Sequence, residues 1–293
     1  LVVPLPGLFN GFTYLIALWE HPPRLDAKIL LPNGKEVTIE TREGPTTIIS
    51  SHGFSLADIN GDGMLELVSF SYRPPGITIY KYSNGKLIEE EGAKVMLGQV
   101  YDAITADIDG DNKDEVVAIN RNGNISIVFE EDSNIWPKRL RERIQNPESI
   151  MLCKGSFDGG KENVFFSTTE GIFQLVYEDG EFIVTRLSEE QPLALSSVKI
   201  MNKDYLVSVV IKPQGLFAEF YKIVEMMGVK ALSKVAESPL GIFGNPKLER
   251  AKCSSLDIGL SRNISIACDA DSDGADELFV GLNNVVLSID FRF

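Results

Sequence analysis

Short apolar runs rich in β-branched and aromatic residues recur along the whole chain, each closed by turn residues. The first set covers residues 13–19, 24–31 and 35–41, broken by Glu20-His21-Pro22-Pro23 and Pro32-Asn33-Gly34. A second set, 52 residues on, repeats it at 65–71, 77–82 and 86–90, broken by Tyr72-Arg73-Pro74-Pro75 and Ser83-Asn84-Gly85. The paired prolines and the Asn-Gly turns fall in the same order. Runs of this length between turn residues predict strands, and Asn-Gly suits the φ > 0 positions of a tight hairpin.

Further sets follow at 116–119, 124–130 and 136–141, and then at 164–167, 172–177 and 182–187. A fainter one runs 198–201, 205–211 and 216–224, and a last lies near Ile264, Glu277 and Val285. No long segment has a 3.6-residue period. The two helix-compatible runs, 138–145 and 221–235, read as outer strands or connections. Repeats of 45–50 residues carrying four short strands each predict an all-β fold, a β-propeller of four-stranded antiparallel blades. Six blades are expected, with seven as the alternative. One domain, 1–293, then holds units near 1–50, 51–98, 99–148, 149–192, 193–238 and 251–293, with an insertion at 239–250. Leu1 to Leu5 can serve as the inner strand of the first unit or the missing strand of the last, but not both.

Three of these units open on a run of oxygen-bearing side chains. Counted from its first Asp, each run places them at positions 1, 3, 5 and 9: Asp58, Asn60, Asp62 and Glu66; Asp107, Asp109, Asp111 and Glu115; Asp269, Asp271, Asp273 and Glu277. Such arrays suit a hard cation such as Ca²⁺, which takes about 6–8 oxygen ligands. Position 7 (Met64, Lys113, Ala275) is expected to add a backbone carbonyl. Position 6 needs a sharp turn, for which Gly63 and Gly274 are suited and Asn112 is the best non-glycine substitute. About three ions are expected. An EF-hand is excluded, because position 12 is Ser69, Ala118 or Val280 in place of Glu and the flanks are strand-like. The competing reading, a solvated acidic turn, is disfavoured by the threefold recurrence at matched spacing. In the first unit Gly7-Leu8-Phe9-Asn10-Gly11 stands in the loop's place, and in the fourth Ser156 to Asn163 is one residue short; neither is expected to hold an ion.

Charge agrees with this. The chain carries a net −14, and the three loops account for most of it; three divalent cations would raise the total to −8, each adding two. No basic face tracks a phosphate backbone, so nucleic acid is not an expected partner. No segment reaches the roughly 18 uninterrupted apolar residues of a membrane span. The chain begins at Leu1, so a signal peptide or anchor upstream is an open expectation. Cys153, Cys253 and Cys268 form no disulfide framework; buried thiols are expected, with a Cys253–Cys268 pair as the alternative. Asn124-Ile-Ser126 and Asn263-Ile-Ser265 are glycosylation sequons, meaningful if the protein is exported.

The segments Asp58-Ile-Asn-Gly-Asp-Gly-Met-Leu-Glu-Leu-Val, Asp107-Ile-Asp-Gly-Asp-Asn-Lys-Asp-Glu-Val-Val and Asp269-Ala-Asp-Ser-Asp-Gly-Ala-Asp-Glu-Leu-Phe resemble FG-GAP or VCBS repeats. These are the calcium-loop repeats of integrin α-chain propellers and of many secreted or surface microbial proteins. The Phe-Gly and Gly-Ala-Pro signatures of the integrin type are absent, so the microbial branch fits better. The resemblance implies calcium loops joining the first and second strands of each blade, on one rim. The loops between second and third strands then lie on the opposite face: 20–23, 72–75, 120–123, 168–171, 212–215 and 282–284. Tyr72, Arg73, His21, Arg121 and Lys212 are the contact candidates there, because binding residues concentrate on loops held by a rigid scaffold.

The expected function is a calcium-stabilised binding module, extracellular or at the cell surface, recognising a protein or glycan on that face. The alternative is a scaffold subunit of a larger, possibly intracellular assembly, which the basic run Lys138, Arg139, Arg141 and Arg143 would dock. A polysaccharide lyase or hydrolase is less expected. His21 and His52 are the only histidines, and no paired carboxylates or activated nucleophile stand outside the loops.

Overall fold

The computed structural model describes residues 2–5, 14–21, 24–30, 35–47, 49–51, 53–72, 75–131, 134–145, 147, 151–157, 161–200, 203–226, 228–240, 265–268, 277–282 and 285–289. The first sheet is built from β1 (Val2–Leu5), β2 (Tyr14–His21) and β3 (Arg24–Leu30). After them come two short strands, β4 (Thr38–Thr41) and β5 (Gly44–Thr46), and then β6 (Ile49–Ser51), which completes the first sheet in the order β1-β2-β3-β6. Val2–Leu5 therefore belongs to the first sheet, with Val2 opposite Ala17 and Leu5 opposite Tyr14.

The second sheet contains β7 (Gly53–Ala57), β8 (Glu66–Tyr72), β9 (Pro75–Ser83) and β10 (Lys86–Val95). Here one expectation is corrected. The run 35–41 was assigned to the first unit, but β4 pairs parallel with β10 of the second sheet, Thr38 opposite Lys86 and Glu40 opposite Ile88. The sheet thus has six strands, β5-β4-β10-β9-β8-β7. The physical reason is that the segment serves two neighbours. Val37 N–H still donates to the Ile29 carbonyl at 2.9 Å, while Lys86 pairs with Glu40 at 2.7 Å. Apolar periodicity marks a strand without naming the edge it joins.

The later sheets follow the repeat. The third is β11 (Val100–Ala106), β12 (Glu115–Asn120), β13 (Asn124–Glu131) and β14 (Asn134–Arg143). The fourth is β15 (Met151–Gly155), β16 (Asn163–Thr168), β17 (Gly171–Glu178) and β18 (Glu181–Ser188). The fifth is β19 (Ala194–Ile200), β20 (Lys203–Lys212), β21 (Gly215–Met226) and β22 (Val229–Pro239). Among the described residues the sixth has three strands, β23 (Ser265–Cys268), β24 (Glu277–Leu282) and β25 (Val285–Ile289). Neighbouring strands in the last four sheets are antiparallel. No helix is among the named elements, and both helix-compatible runs are outer-strand segments, in β14 and in β21–β22. Residues 241–264, which include most of the expected insertion, lie outside the described residues.

The chain divides into two compact units, one of residues 1–107 and 111–148, the other of 108–110, 149–253 and 262–293, with 254–261 counted in the first. In each unit the core lies between the sheets' faces. The second strands β12 and β16 are buried along their whole length. This is why they read as unbroken apolar runs and not as alternations. Phe70, Ile77 and Ile79 meet Val100, Val116 and Val128 in the first unit. Phe165, Ile172, Leu195 and Leu206 meet in the second, where Phe157 packs edge-on to Phe165 at 5.0 Å. Fourth strands carry the exposed side chains, as in β14 and β18. Hairpins close tightly where the sequence supplies φ > 0: Asn84-Gly85 at 52° and 79°, and Asp179-Gly180 at 51° and 85°.

Phe165 is fully buried at the centre of its sheet. Phe165→Ala is expected to cost about 3–5 kcal/mol of stability. Urea unfolding should show a lowered midpoint with an unchanged slope.

Candidate metal centres

Each carboxylate loop joins the first strand of a sheet to the second. Ala57 faces Glu66 across β7 and β8, and Ala106 faces Glu115 across β11 and β12. The position-9 carboxylate therefore sits at the first residue of the most buried strand. Glu66 and Glu115 are each only 3% exposed. Burial pushes the Glu66 carboxyl up to about 7; the Ile59 N–H works against that rise, and Asp62 and Asp58 add to it.

The two described loops share one scaffold. Asp58 Oδ2 accepts from Gly63 N–H at 2.9 Å, and Asp107 Oδ2 accepts from Asn112 N–H at 3.2 Å. Asp62 Oδ1 accepts from Met64 N–H, and Asp111 Oδ1 from Lys113 N–H, both at 2.8 Å. Position 6 is left-handed as expected, with φ of 80° at Gly63 and 68° at Asn112. This folds the loop so that its side-chain oxygens converge. One oxygen each from Asp107, Asp109 and Glu115 lie within 4.8 Å of one another.

In the first loop Asn60 takes the place of one carboxylate. Its Oδ1 accepts from Asp62 N–H at 2.9 Å, and its Nδ2 reaches Asp62 Oδ2 at 3.1 Å and Glu66 Oε1 at 3.2 Å. Lys81 pairs with Asp62 at 3.2 Å. Asp58 Oδ1 is buried without a hydrogen-bond partner. An orphaned carboxylate oxygen facing away from water is costly unless something positive meets it. In the Asp107 loop the donor set is all oxygen, partly buried and pre-folded, and it fits a hard divalent cation; in the Asp58 loop the Asn60 amide nitrogen takes the place of a positive partner beside Asp62 and Glu66. Asp58, Asn60, Asp62 and Glu66 would hold one such ion, and Asp107, Asp109, Asp111 and Glu115 another. The side chains at position 7 do other work: Met64 is exposed and Lys113 lies 3.9 Å from Glu130.

Two features of the loops escape a reading of spacing alone. Asp114, at position 8, accepts from Asp58 N–H at 2.8 Å through Oδ2, and its own N–H donates to the Asp58 carbonyl at 2.9 Å. Position 4 is glycine in both loops, at φ 71° and 82°. A Cβ on Gly61 would lie 3.1 Å from Lys113 Cγ, and one on Gly110 the same distance from Lys161 Cγ. The lysine of one loop thus roofs the glycine of the loop before it. The only available signal was the pairing of Gly at position 4 with Lys two residues before the second strand.

In the fourth sheet Asn163 occupies the place of Glu115, since Gly155 faces Asn163 as Ala106 faces Glu115. Gln174 Nε2 donates to Asn163 Oδ1 at 2.7 Å. A neutral amide pair replaces the buried carboxylate at this position. Of the third carboxylate loop, Asp269, Asp271, Asp273 and Ala275 lie outside the described residues, and Glu277 is placed by its backbone as the first residue of β24. Cys153 is free and buried, and burial raises its thiol well above the usual range. Cys253 lies outside the described residues. Asn124 of the first sequon is 8% exposed and accepts from Arg139, so its amide is engaged in the folded chain.

Of the contact candidates, Arg121 and Lys212 are placed with their side chains. Tyr72 and His21 are placed by backbone at the ends of β8 and β2, and Arg73 and His52 lie outside the described residues. Among the described residues no helix is long and apolar enough to cross a membrane.

These sheets and loops define an all-β protein of repeated hairpins headed by carboxylate-rich turns. Residues 58–118 match the model of an FG-GAP-like repeat, so the chain carries that repeat across its first two carboxylate loops. No curated protein matches the chain. Among solved structures, a protein from Bacteroides uniformis assigned as a 6-phosphogluconolactonase is 11% identical, with 97% of this chain and 82% of that one covered and a TM-score of 0.49. The biofilm matrix protein Bap1 of V. cholerae is 19% identical, with 80% and 38% covered and a TM-score of 0.45. AofleA from Arthrobotrys oligospora is 12% identical, with 81% and 74% covered and a TM-score of 0.44. At these identities and scores the likenesses carry no argument about fold or function.

The raised Glu66 carboxyl fixes a sign. The folded chain holds this proton more tightly than the unfolded chain, so stability is lost as pH rises from 4.5 to about 7. In chelator the melting temperature should fall between pH 4.5 and about pH 7, and added calcium should raise it more at the higher pH. Glu66→Gln should flatten that slope; an unchanged slope would show that Glu66 does not set it.

Proposed function

We propose that the protein is a calcium-stabilised β-propeller of six blades that serves as a binding module outside the cell or at its surface. The observation that carries this is the repetition of one hydrogen-bond scaffold in the Asp58 and Asp107 loops, each ending on a buried position-9 glutamate, with oxygens of Asp107, Asp109 and Glu115 converging in the second. Four-stranded sheets recurring with the FG-GAP-like repeat support the propeller reading. A bound Ca²⁺ would neutralise the converging carboxylates and tie the first strand of a sheet to the second. It acts as a staple.

The partner, a protein or a glycan, then meets the opposite ends of the strands, where 120–123, 168–171 and 212–215 connect second strands to third. The chain acts by binding and not by catalysis. Calcium at about 100 times its dissociation constant should add about 2.7 kcal/mol per site. Differential scanning calorimetry with calcium and with chelator tests this, and an unchanged midpoint would overturn the staple. Calcium titration should count up to three ions, with one fewer in Glu115→Gln.

A further inference from the structure

At the loop joining β12 to β13 a cavity of about 430 Å³ is lined by Arg121, Asn122, Arg143, Ile144, Gln145 and Pro147. Its walls are fixed. Asn120 Oδ1 accepts from the backbone N–H of Asn122 at 3.0 Å and of Asn124 at 3.1 Å, and its Nδ2 donates to the Leu97 carbonyl at 2.8 Å. Arg121 N–H donates to the Gln99 carbonyl at 2.7 Å. Gly123, at φ 77°, lies so close to Ile144 that a Cβ would stand 1.9 Å from its carbonyl oxygen. Arg143 Nε donates to the Asn122 carbonyl at 2.6 Å, which anchors the guanidinium by one edge. Arg121 reaches Gln99 Oε1 only at 3.5 Å.

Neither guanidinium has a carboxylate partner among the described residues, in a chain of net charge −14. The equivalent loops make the contrast. Arg186 donates to the Glu170 carbonyl much as Arg143 does to Asn122, but Glu189 neutralises it at 3.4 Å. Lys212 is held by Glu219 at 2.5 Å and Glu237 at 2.7 Å. Only the 120–123 loop, of these three, leaves its cations for something else. A concave site in the range of about 300–1,000 Å³ suits a small ligand better than a flat protein surface. Planar guanidinium forks match carboxylates.

We propose that this cavity binds a carboxylate carried by a small polar ligand, a free organic acid or the uronate unit of an oligosaccharide. The inference rests on the reading of these loop ends as the binding edge and names the ligand chemistry. Titration calorimetry of the full chain in calcium, with citrate, galacturonate, trigalacturonate, galactose and inorganic phosphate, tests it. Binding of citrate assigns a free acid; binding of the galacturonates without citrate assigns a uronate. In either case Arg121→Ala and Arg143→Lys should each weaken binding at least about tenfold. Arg141→Ala, exposed on the same strand outside the cavity, should leave it unchanged. Equal loss with Arg141→Ala, equal binding of galactose, preference for phosphate or no binding at all overturns the proposal. Melting with chelator reports on the calcium staple without any ligand, so the two readings fail separately.

Discussion

Like charge brought together at the mouth of a buried strand is the constraint around which the described loops are arranged. Glu66 and Glu115 enter the core with their carboxyls nearly out of solvent; Glu115 is joined there by Asp107 and Asp109, and Glu66 by the Asn60 amide. Such a group is tolerated only if donors or a cation meet it. The chain supplies the donors it can: N–H groups folded inward by left-handed Gly63 and Asn112, the amide of Asn60, and Lys81. The fourth sheet solves the same problem by removing the charge, with Asn163 and Gln174 paired where a carboxylate would stand. Charged and neutral versions of one position keep the same strand register.

Much of this was legible in the sequence. Second strands bury both faces, so β12 and β16 stand out as continuous apolar runs. Asn84-Gly85 forms the tight hairpin its chemistry demands, and the oxygen spacing of the loops identified the turns and their left-handed residue. What escaped was partnership. Residues 38–41 read as a strand, yet nothing in their pattern says that they run parallel to β10 and not beside β3. Asp114 looked like one more acid in an acidic loop, whereas its carboxylate caps a backbone N–H 56 residues away. Long-range pairings of this kind leave no local periodicity.

The Asp107 loop and the arginine cavity lie at opposite ends of the third sheet's second strand, β12, which links Glu115 to Asn120 through a fully buried run. A rigid strand between them keeps the two chemistries apart. The oxygen-rich Asp107 turn gathers carboxylates at one end, and at the other Asn120 organises a loop whose guanidiniums meet no carboxylate among the described residues.

The contact between Asp58 and Asp114, with Lys113 laid over Gly61, means that a turn is finished by residues of the turn that follows it. On the ribosome this order matters. The Asp58 turn emerges first and stays without its clasp until the next hairpin has been synthesised.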